Sequence, residues 1–215
     1  MNSVPSRPSL WARIRHQISF RLYGRRLGLG QPIHAAALDH EYASGAWDHF
    51  FGPDELARNE RLAACIHAAR PRPRLLDLGC GSGRLVSLLN PAALDGYLGV
   101  DLSAEGIRLA KALGRPAPLD QFQLHDFETW TPQPGSYDVI TFNECLGYAP
   151  DPLRTALRFA ATLPADGVLL VSHFQSGNHV EFWQRLARNF DFSDSQVITN
   201  TKGQIWDIRS LRLRA

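Results

Sequence analysis

The 215-residue sequence predicts an α/β protein built on a doubly wound, mostly parallel sheet. Two patterns carry that expectation. From Arg74 onward, short apolar runs alternate with helical patterns, and strands separated by helical crossovers pair in parallel with helices on both faces. Directly after the first of these runs the chain reads LLDLGCGSGRL, with Gly79, Gly81 and Gly83 at every second position. A strand ending in residues without a Cβ lets the backbone bend sharply and lets a ligand approach the main chain. In an open parallel sheet, ligands bind beyond the carboxyl ends of the strands, so the glycines mark the place.

The elements follow in order. Residues 1–9 hold Pro5, Pro8 and three serines and read as loose. Leu10, Trp11, Ile14, Ile18 and Leu22 then fall at spacings of three and four, with Arg13, Arg15 and Arg21 between them, the pattern of a basic amphipathic helix. Such a helix packs on its own domain, docks on a membrane surface or partner through residues 10–26, or covers a site as a lid. GRRLGLGQP is a connector. The aromatic-rich EYASGAWDHFFG leads into a helix over 53–69, with Pro53 in its first turn and Asp54 and Glu55 near the positive end of its dipole. After RPRP the expected order is strand 74–78, helix 83–90, strand 97–101, helix 104–113, strand 122–125, strand 137–142, helix 153–163 and strand 168–172. HVEFWQRLARNF is a further helix, and SQVITN and IWDIRSLRLR form an antiparallel hairpin that closes the sheet. Residues 1–52 thus divide off as a basic helix and an aromatic lid or connector, and 53–215 as the main domain.

Composition excludes several classes. The three cysteines, Cys65, Cys80 and Cys145, are odd in number and widely spaced, so neither a disulfide framework nor a metal site is indicated, and a reducing cytoplasm is expected. The net charge of +2 hides an asymmetry: residues 1–38 carry six arginines and no acid, which leaves 17 basic against 21 acidic residues in the remainder. A nucleic-acid binder is expected to spread positive charge over the domain body, so no specific nucleic acid is expected as partner. No apolar run approaches a membrane span, which takes about 20 residues.

The glycine spacing is G-x-G-x-G. A dinucleotide-binding turn is G-x-G-x-x-G, and the position where it needs its third glycine is Arg84. Asp101 ends the second strand, at a distance where a carboxylate accepts hydrogen bonds from both hydroxyls of a ribose laid over the strand ends. After the third strand, Asp126 offers an acceptor to an adenine amino group and Phe127 packs near the base. Asp77, inside a buried strand, needs a hydrogen-bonding or cationic partner. These features describe a ligand with adenine and ribose and no grip on a pyrophosphate.

The chain resembles the class I S-adenosylmethionine-dependent methyltransferases. Residues 75–83 are similar to their first motif, YLGVDLS to the second, LHDFETW to the third and YDVITFNECLGYAPDP to the fourth, so the likeness covers about residues 54–172. It implies a Rossmann-like, seven-stranded sheet whose last strand is antiparallel, preceded by an N-terminal helical extension. It implies S-adenosylmethionine as cofactor, held by Asp77, Gly79, Cys80, Gly81, Gly83, Asp101, Leu102, Asp126, Phe127 and Asn143. The fourth motif departs from the family's Ser-Glu-Val-Leu-Glu-His: here it is Asn143-Glu144-Cys145-Leu146-Gly147-Tyr148, so the family's His is Tyr148, and Gly147 is expected to open space for the acceptor.

Methyl transfer depends mainly on holding the nucleophile in line, and a base is needed only when the acceptor carries a proton of high pKa. His173, at the carboxyl end of the fifth strand, is the favoured base, with Tyr148 and Glu144 as the other catalytic candidates; His125 and His179 rank below them. Tyr42, Trp47, Phe50 and Tyr148 are expected to wall the acceptor. The stretch looks like that of small methyltransferases acting on sugars or secondary metabolites. A small-molecule hydroxyl or amine is therefore the expected acceptor, with the enzyme a monomer or homodimer. A macromolecular methyltransferase rests only on the arginine-rich start, and no Asn-Pro-Pro-Tyr or Asp-Pro-Pro-Tyr sequence follows strand four. A non-catalytic adenosyl-binding partner subunit is the remaining alternative.

Overall fold

The computed structural model describes residues 33–175 and 179–214. The basic helix and connector expected before Ile33 lie outside them. Seven strands form one sheet: β1 (Arg74–Leu78), β2 (Gly96–Asp101), β3 (Phe122–Leu124), β4 (Val139–Asn143), β5 (Val168–Phe174), β6 (Phe190–Thr199) and β7 (Ile205–Leu213), in the order β3-β2-β1-β4-β5-β7-β6. β7 runs antiparallel to both β5 and β6, and every other pairing is parallel. The Rossmann-like sheet with its last strand reversed is therefore present. Because β1 pairs with β2 on one side and β4 on the other, the strand order reverses beside it, which places a ligand crevice at its carboxyl end.

The central strands are apolar on both faces, as strands covered by helices must be. On one face Leu76, Leu78, Ile140, Phe142, Leu169 and Val171 pack with α4 (Pro152–Ala160) and α5 (His179–Leu186). On the other, Leu75, Val139, Val168 and Leu170 pack with Leu62 and Ile66 of α2 (Pro53–Ala69) and Ile107 of α3 (Ala104–Ala112). A short α1 (Ala35–Ala43) precedes them and is fixed to α3: Asp39 Oδ1 accepts from Ser103 Oγ (2.5 Å) and from the Glu105 amide (3.1 Å). Ser103 in turn caps α3, its Oγ accepting from the Gly106 amide at 3.0 Å.

Three local expectations change. The helix expected over 83–90 is a turn followed by a single 3-10 turn, Val86–Leu88. Leu89 and Asn90 are already extended, because Pro91 disfavours helical backbone in the residue before it. α5 ends at Leu186 and Phe190 opens β6, which is longer than expected and bulged between Phe192 and Asp194. Finally, β5 does not stop at Ser172 but continues through His173 to Phe174, which decides where His173 points.

Candidate active site

One cavity of about 540 Å³ opens at the carboxyl edge of the sheet, a size typical of ligand sites. The turn after β1 forms its floor. The Gly79 and Cys80 amides both donate to the Val100 carbonyl (2.8 and 3.1 Å), tying the turn to β2. Gly79 (φ +67°) and Gly81 (φ +53°) adopt the left-handed backbone that glycine tolerates. A Cβ on Gly79 would stand 2.6 Å from Cys145 Cβ, and one on Gly81 would stand 2.5 Å from the Tyr42 hydroxyl. Both residues are therefore bare for reasons of space as well as conformation.

Asp101, nearly buried, faces the cavity from the end of β2 and accepts from the Gly81 amide on Oδ2 and the Ser103 amide on Oδ1, both at 2.8 Å. Burial raises its pKa and those amides oppose the rise. A carboxylate offers about four acceptor positions, so two remain. Leu102, Asp126 and Phe127 also line the cavity. Asp126 Oδ1 accepts from the Glu128 amide (2.8 Å), and the Arg158 guanidinium donates to the Phe127 and Glu128 carbonyls, which fixes the loop.

Asp77 is corrected. It does not line the cavity but sits beneath it, where Thr141 Oγ1 donates to Oδ1 (2.8 Å) and the Tyr97 hydroxyl to Oδ2 (3.2 Å). Burial pushes its carboxyl from 3.8 up to about 7, the two hydroxyls opposing. A folded pKa above the unfolded value contributes stability at low pH that is lost as pH rises from 3.8 through about 7. Asp77→Asn removes the titration. The stability of wild type relative to Asp77→Asn should therefore fall by about 2–3 kcal/mol between about pH 5 and pH 8 in denaturant melts. A difference that stays flat over this range would rule out the raised value.

Tyr42, Trp47 and Phe50 all line the cavity. Trp47 and Phe50 stack with centroids 5.1 Å apart, and Trp47 Nε1 donates to Glu41 Oε2 at 3.0 Å. Tyr42 lies over Gly81 and Gly106, so it also roofs the glycine turn; burial and the Asp101 charge raise its pKa, which keeps the phenol protonated.

The expected base, His173, is not in the cavity wall. Alternation along β5 sends Ser172 to the α2 face and His173 to the opposite one. There it stacks on Phe182 of α5 at 4.0 Å, and burial lowers its pKa to about 4. Gly147 is corrected with it: a Cβ there would stand 3.2 Å from His173 Cε1, so the missing side chain accommodates His173 and opens no space for an acceptor. Tyr148 and Glu144 do line the cavity. Glu144 has left-handed backbone (φ +62°), a strained conformation for a non-glycine residue of a kind that clusters at functional sites. Its carboxylate accepts from Ser172 Oγ (2.7 Å) and the Phe174 amide (3.0 Å), and burial raises its pKa against the pull of Arg58.

Arg58 and Asn59 are cavity residues that the sequence reading missed. Arg58 is 2 % exposed; its Nη2 pairs with Glu55 at 2.8 Å and its Nη1 donates to Asn143 Oδ1. Asn143 Nδ2 donates to Asn59 Oδ1 at 3.1 Å. The Asn143 side chain is thus committed to α2 although the residue lines the cavity. A signal existed: Glu55, Arg58 and Asn59 continue the helical spacing of the buried Leu62, Ala63 and Ile66, so polar residues occupy the inward stripe of α2.

The residues fit an adenosyl group, with bare main chain at Gly79 and Gly81, open acceptor positions on Asp101 and an acidic–aromatic pair after β3. A sheet of this order, reversed at its seventh strand and holding such a crevice at its switch point, has the architecture of the class I S-adenosylmethionine-dependent methyltransferases. The chain belongs to the methyltransferase-domain family, whose model matches residues 49–215. It is 38% identical over 98 residues to a ubiquinone biosynthesis O-methyltransferase of Albidiferax ferrireducens, covering 44% of this chain and 38% of that one. It is 36% identical over 116 residues to a trans-aconitate 2-methyltransferase of Variovorax paradoxus, covering 54% and 43%. The chain spans less than half the length of these curated relatives. In fold it is similar to the N-methyltransferase NodS of Bradyrhizobium japonicum, solved with S-adenosyl-L-homocysteine (TM-score 0.66, 14% identity, 84% of this chain and 98% of that one).

Proposed function

We propose that the chain transfers a methyl group from S-adenosylmethionine to a hydroxyl of a small-molecule acceptor, an amine being the second choice. One observation carries this reading: a single cavity gathers the glycine turn, Asp101 and Asp126 together with the aromatic Tyr42, Trp47, Phe50 and Tyr148. The relatives named for O-methylation in ubiquinone biosynthesis and for methylation of trans-aconitate support a small acceptor. S-adenosylmethionine supplies a methyl group on a sulfonium, open to in-line displacement.

The chain's part is to position and to take up a proton. Asp101 and Asp126 hold ribose and adenine, and the Trp47–Phe50 stack orients the acceptor, since holding reactants in line is where most of the rate arises. Tyr148, whose pKa is raised by burial and by Glu144, keeps its proton and donates to the acceptor oxygen. Glu144, its proton affinity raised by burial, takes the acceptor proton in place of His173.

Incubation with methyl-labelled S-adenosylmethionine and metabolite extract, followed by mass identification of products, tests the function. Label on an oxygen of a small product is expected; label confined to RNA or protein, or cofactor binding without turnover, would sink it. In Glu144→Gln the amide oxygen can still accept from the Phe174 amide while Nε2 donates to Ser172 Oγ, so the side chain stays placed and turnover should drop by about 10²–10⁴-fold at unchanged S-adenosylhomocysteine affinity. Unchanged turnover would show that the acceptor ionises unaided. His173→Phe should leave turnover intact, and a large loss would return His173 to the mechanism.

A further inference from the structure

We infer that Arg84 anchors a carboxylate or phosphate group of the acceptor, so that the acceptor is an anionic small molecule; this rests on the proposed methyl transfer at the same cavity. Five other residues with charged side chains line that cavity, and each has a partner in the protein. Asp101 and Asp126 accept from backbone amides, Glu144 from Ser172 and the Phe174 amide, Glu128 from Thr155, and Arg58 pairs with Glu55. Arg84 differs. Among the described residues its guanidinium has no hydrogen bond and no ion pair, and its Nε is buried without a partner. The terminal nitrogens, neither bonded within the described residues nor sealed off as Nε is, are the donors left for an anionic group that enters the cavity.

The guanidinium lies over the Phe51 ring, with Cζ 5.4 Å from the centroid. Stacking fixes its plane and leaves the N–H edge to form the paired bonds that suit a carboxylate or phosphate. Phe51 follows Phe50, which stacks on Trp47, so Arg84 stands beside the aromatic wall that would orient the acceptor. The side chain that displaces the third glycine of a dinucleotide turn is the one cavity charge with no hydrogen-bond or ion-pair partner among the described residues.

The test uses the full chain loaded with S-adenosylhomocysteine and two probes matched in shape, 4-hydroxybenzoate and its methyl ester, titrated by calorimetry. Wild type should bind the carboxylate about tenfold or more tightly than the ester, as expected for charge-assisted bonds. Arg84→Gln should erase that preference while leaving S-adenosylhomocysteine affinity and thermal midpoint unchanged, and Arg84→Lys should keep part of it. Equal affinity for the two probes in wild type, no binding of either at millimolar concentration, or a preference that survives in Arg84→Gln would each overturn the inference. So would weakened S-adenosylhomocysteine binding in Arg84→Gln, which would assign the cation to the cofactor's own carboxylate. Failure of wild type to bind S-adenosylhomocysteine strikes the proposed function instead, and the same probes titrated into the unliganded protein still decide the role of Arg84.

Discussion

Asp101→Ala should weaken S-adenosylhomocysteine binding by about 2–4 kcal/mol, roughly thirtyfold to a thousandfold in Kd, measured by calorimetry. Two effects add. The substitution removes the acceptor positions proposed for the ribose hydroxyls, and it releases the Gly81 and Ser103 amides that Asp101 now holds at 2.8 Å. The second effect loosens the glycine turn itself, because Gly81 is in the left-handed conformation that this hydrogen bond helps to fix. Stability should fall as well, by about 1–3 kcal/mol for each buried donor left unpaired. Asp101→Asn separates the two effects, since its one carbonyl oxygen still serves one amide while the charge is lost. Affinity that is unchanged in Asp101→Ala would remove the carboxylate from the cofactor site.

What the sequence revealed of this site follows from which interactions are local. Gly79, Gly81, Asp101 and the Asp126–Phe127 pair were legible because each stands at the end of a strand, and strand ends converge in any parallel sheet; Gly83, expected with them, is outside the cavity and is bare because Leu113, Val86 and Ala110 crowd it. His173 was misplaced because its direction depends on whether β5 ends before or after it. Pairing with β7, antiparallel and distant in sequence, carries the strand on to Phe174 and turns the imidazole to the α5 face. Gly147 failed for the same reason: it lies in the turn Leu146–Tyr148, its neighbour is His173 of β5, and no local pattern announces that contact. The 83–90 helix was lost at both ends: Gly83 has left-handed backbone (φ +90°), and Pro91 disfavours helical backbone at Asn90. Arg58 was legible in principle, since a charged residue on the inward stripe of an amphipathic helix requires a buried partner. Finding Asn143 and Ser172 as its other neighbours required the fold.

Arg58→Met should destabilise the domain by about 3–5 kcal/mol. The guanidinium is almost wholly buried, so in isolation its pairing with Glu55 is poor evidence of net stabilisation: desolvating both ions offsets much of their attraction. Removing one partner is another matter. Without Arg58, the buried Glu55 carboxylate has no counter-ion, and Glu144 loses the charge that opposes its upward shift. Asn143 Oδ1 also loses a donor, and with it part of the bracing between α2 and the end of β4. For a domain of this size the thermal midpoint should drop by roughly 6–20 °C. The sign of the pH dependence distinguishes this cause from simple loss of packing. Glu144, whose pKa burial already raises against the pull of Arg58, is held still higher without that charge, so the deficit should shrink as pH falls from about 8 to about 5 and protonation removes the buried charge. Glu55→Gln combined with Arg58→Met should recover a large part of the loss at the higher pH. A deficit that is equal at both pH values and untouched by the second substitution would mean that Arg58 acts through its volume alone, with no electrostatic hold on the floor of the cavity.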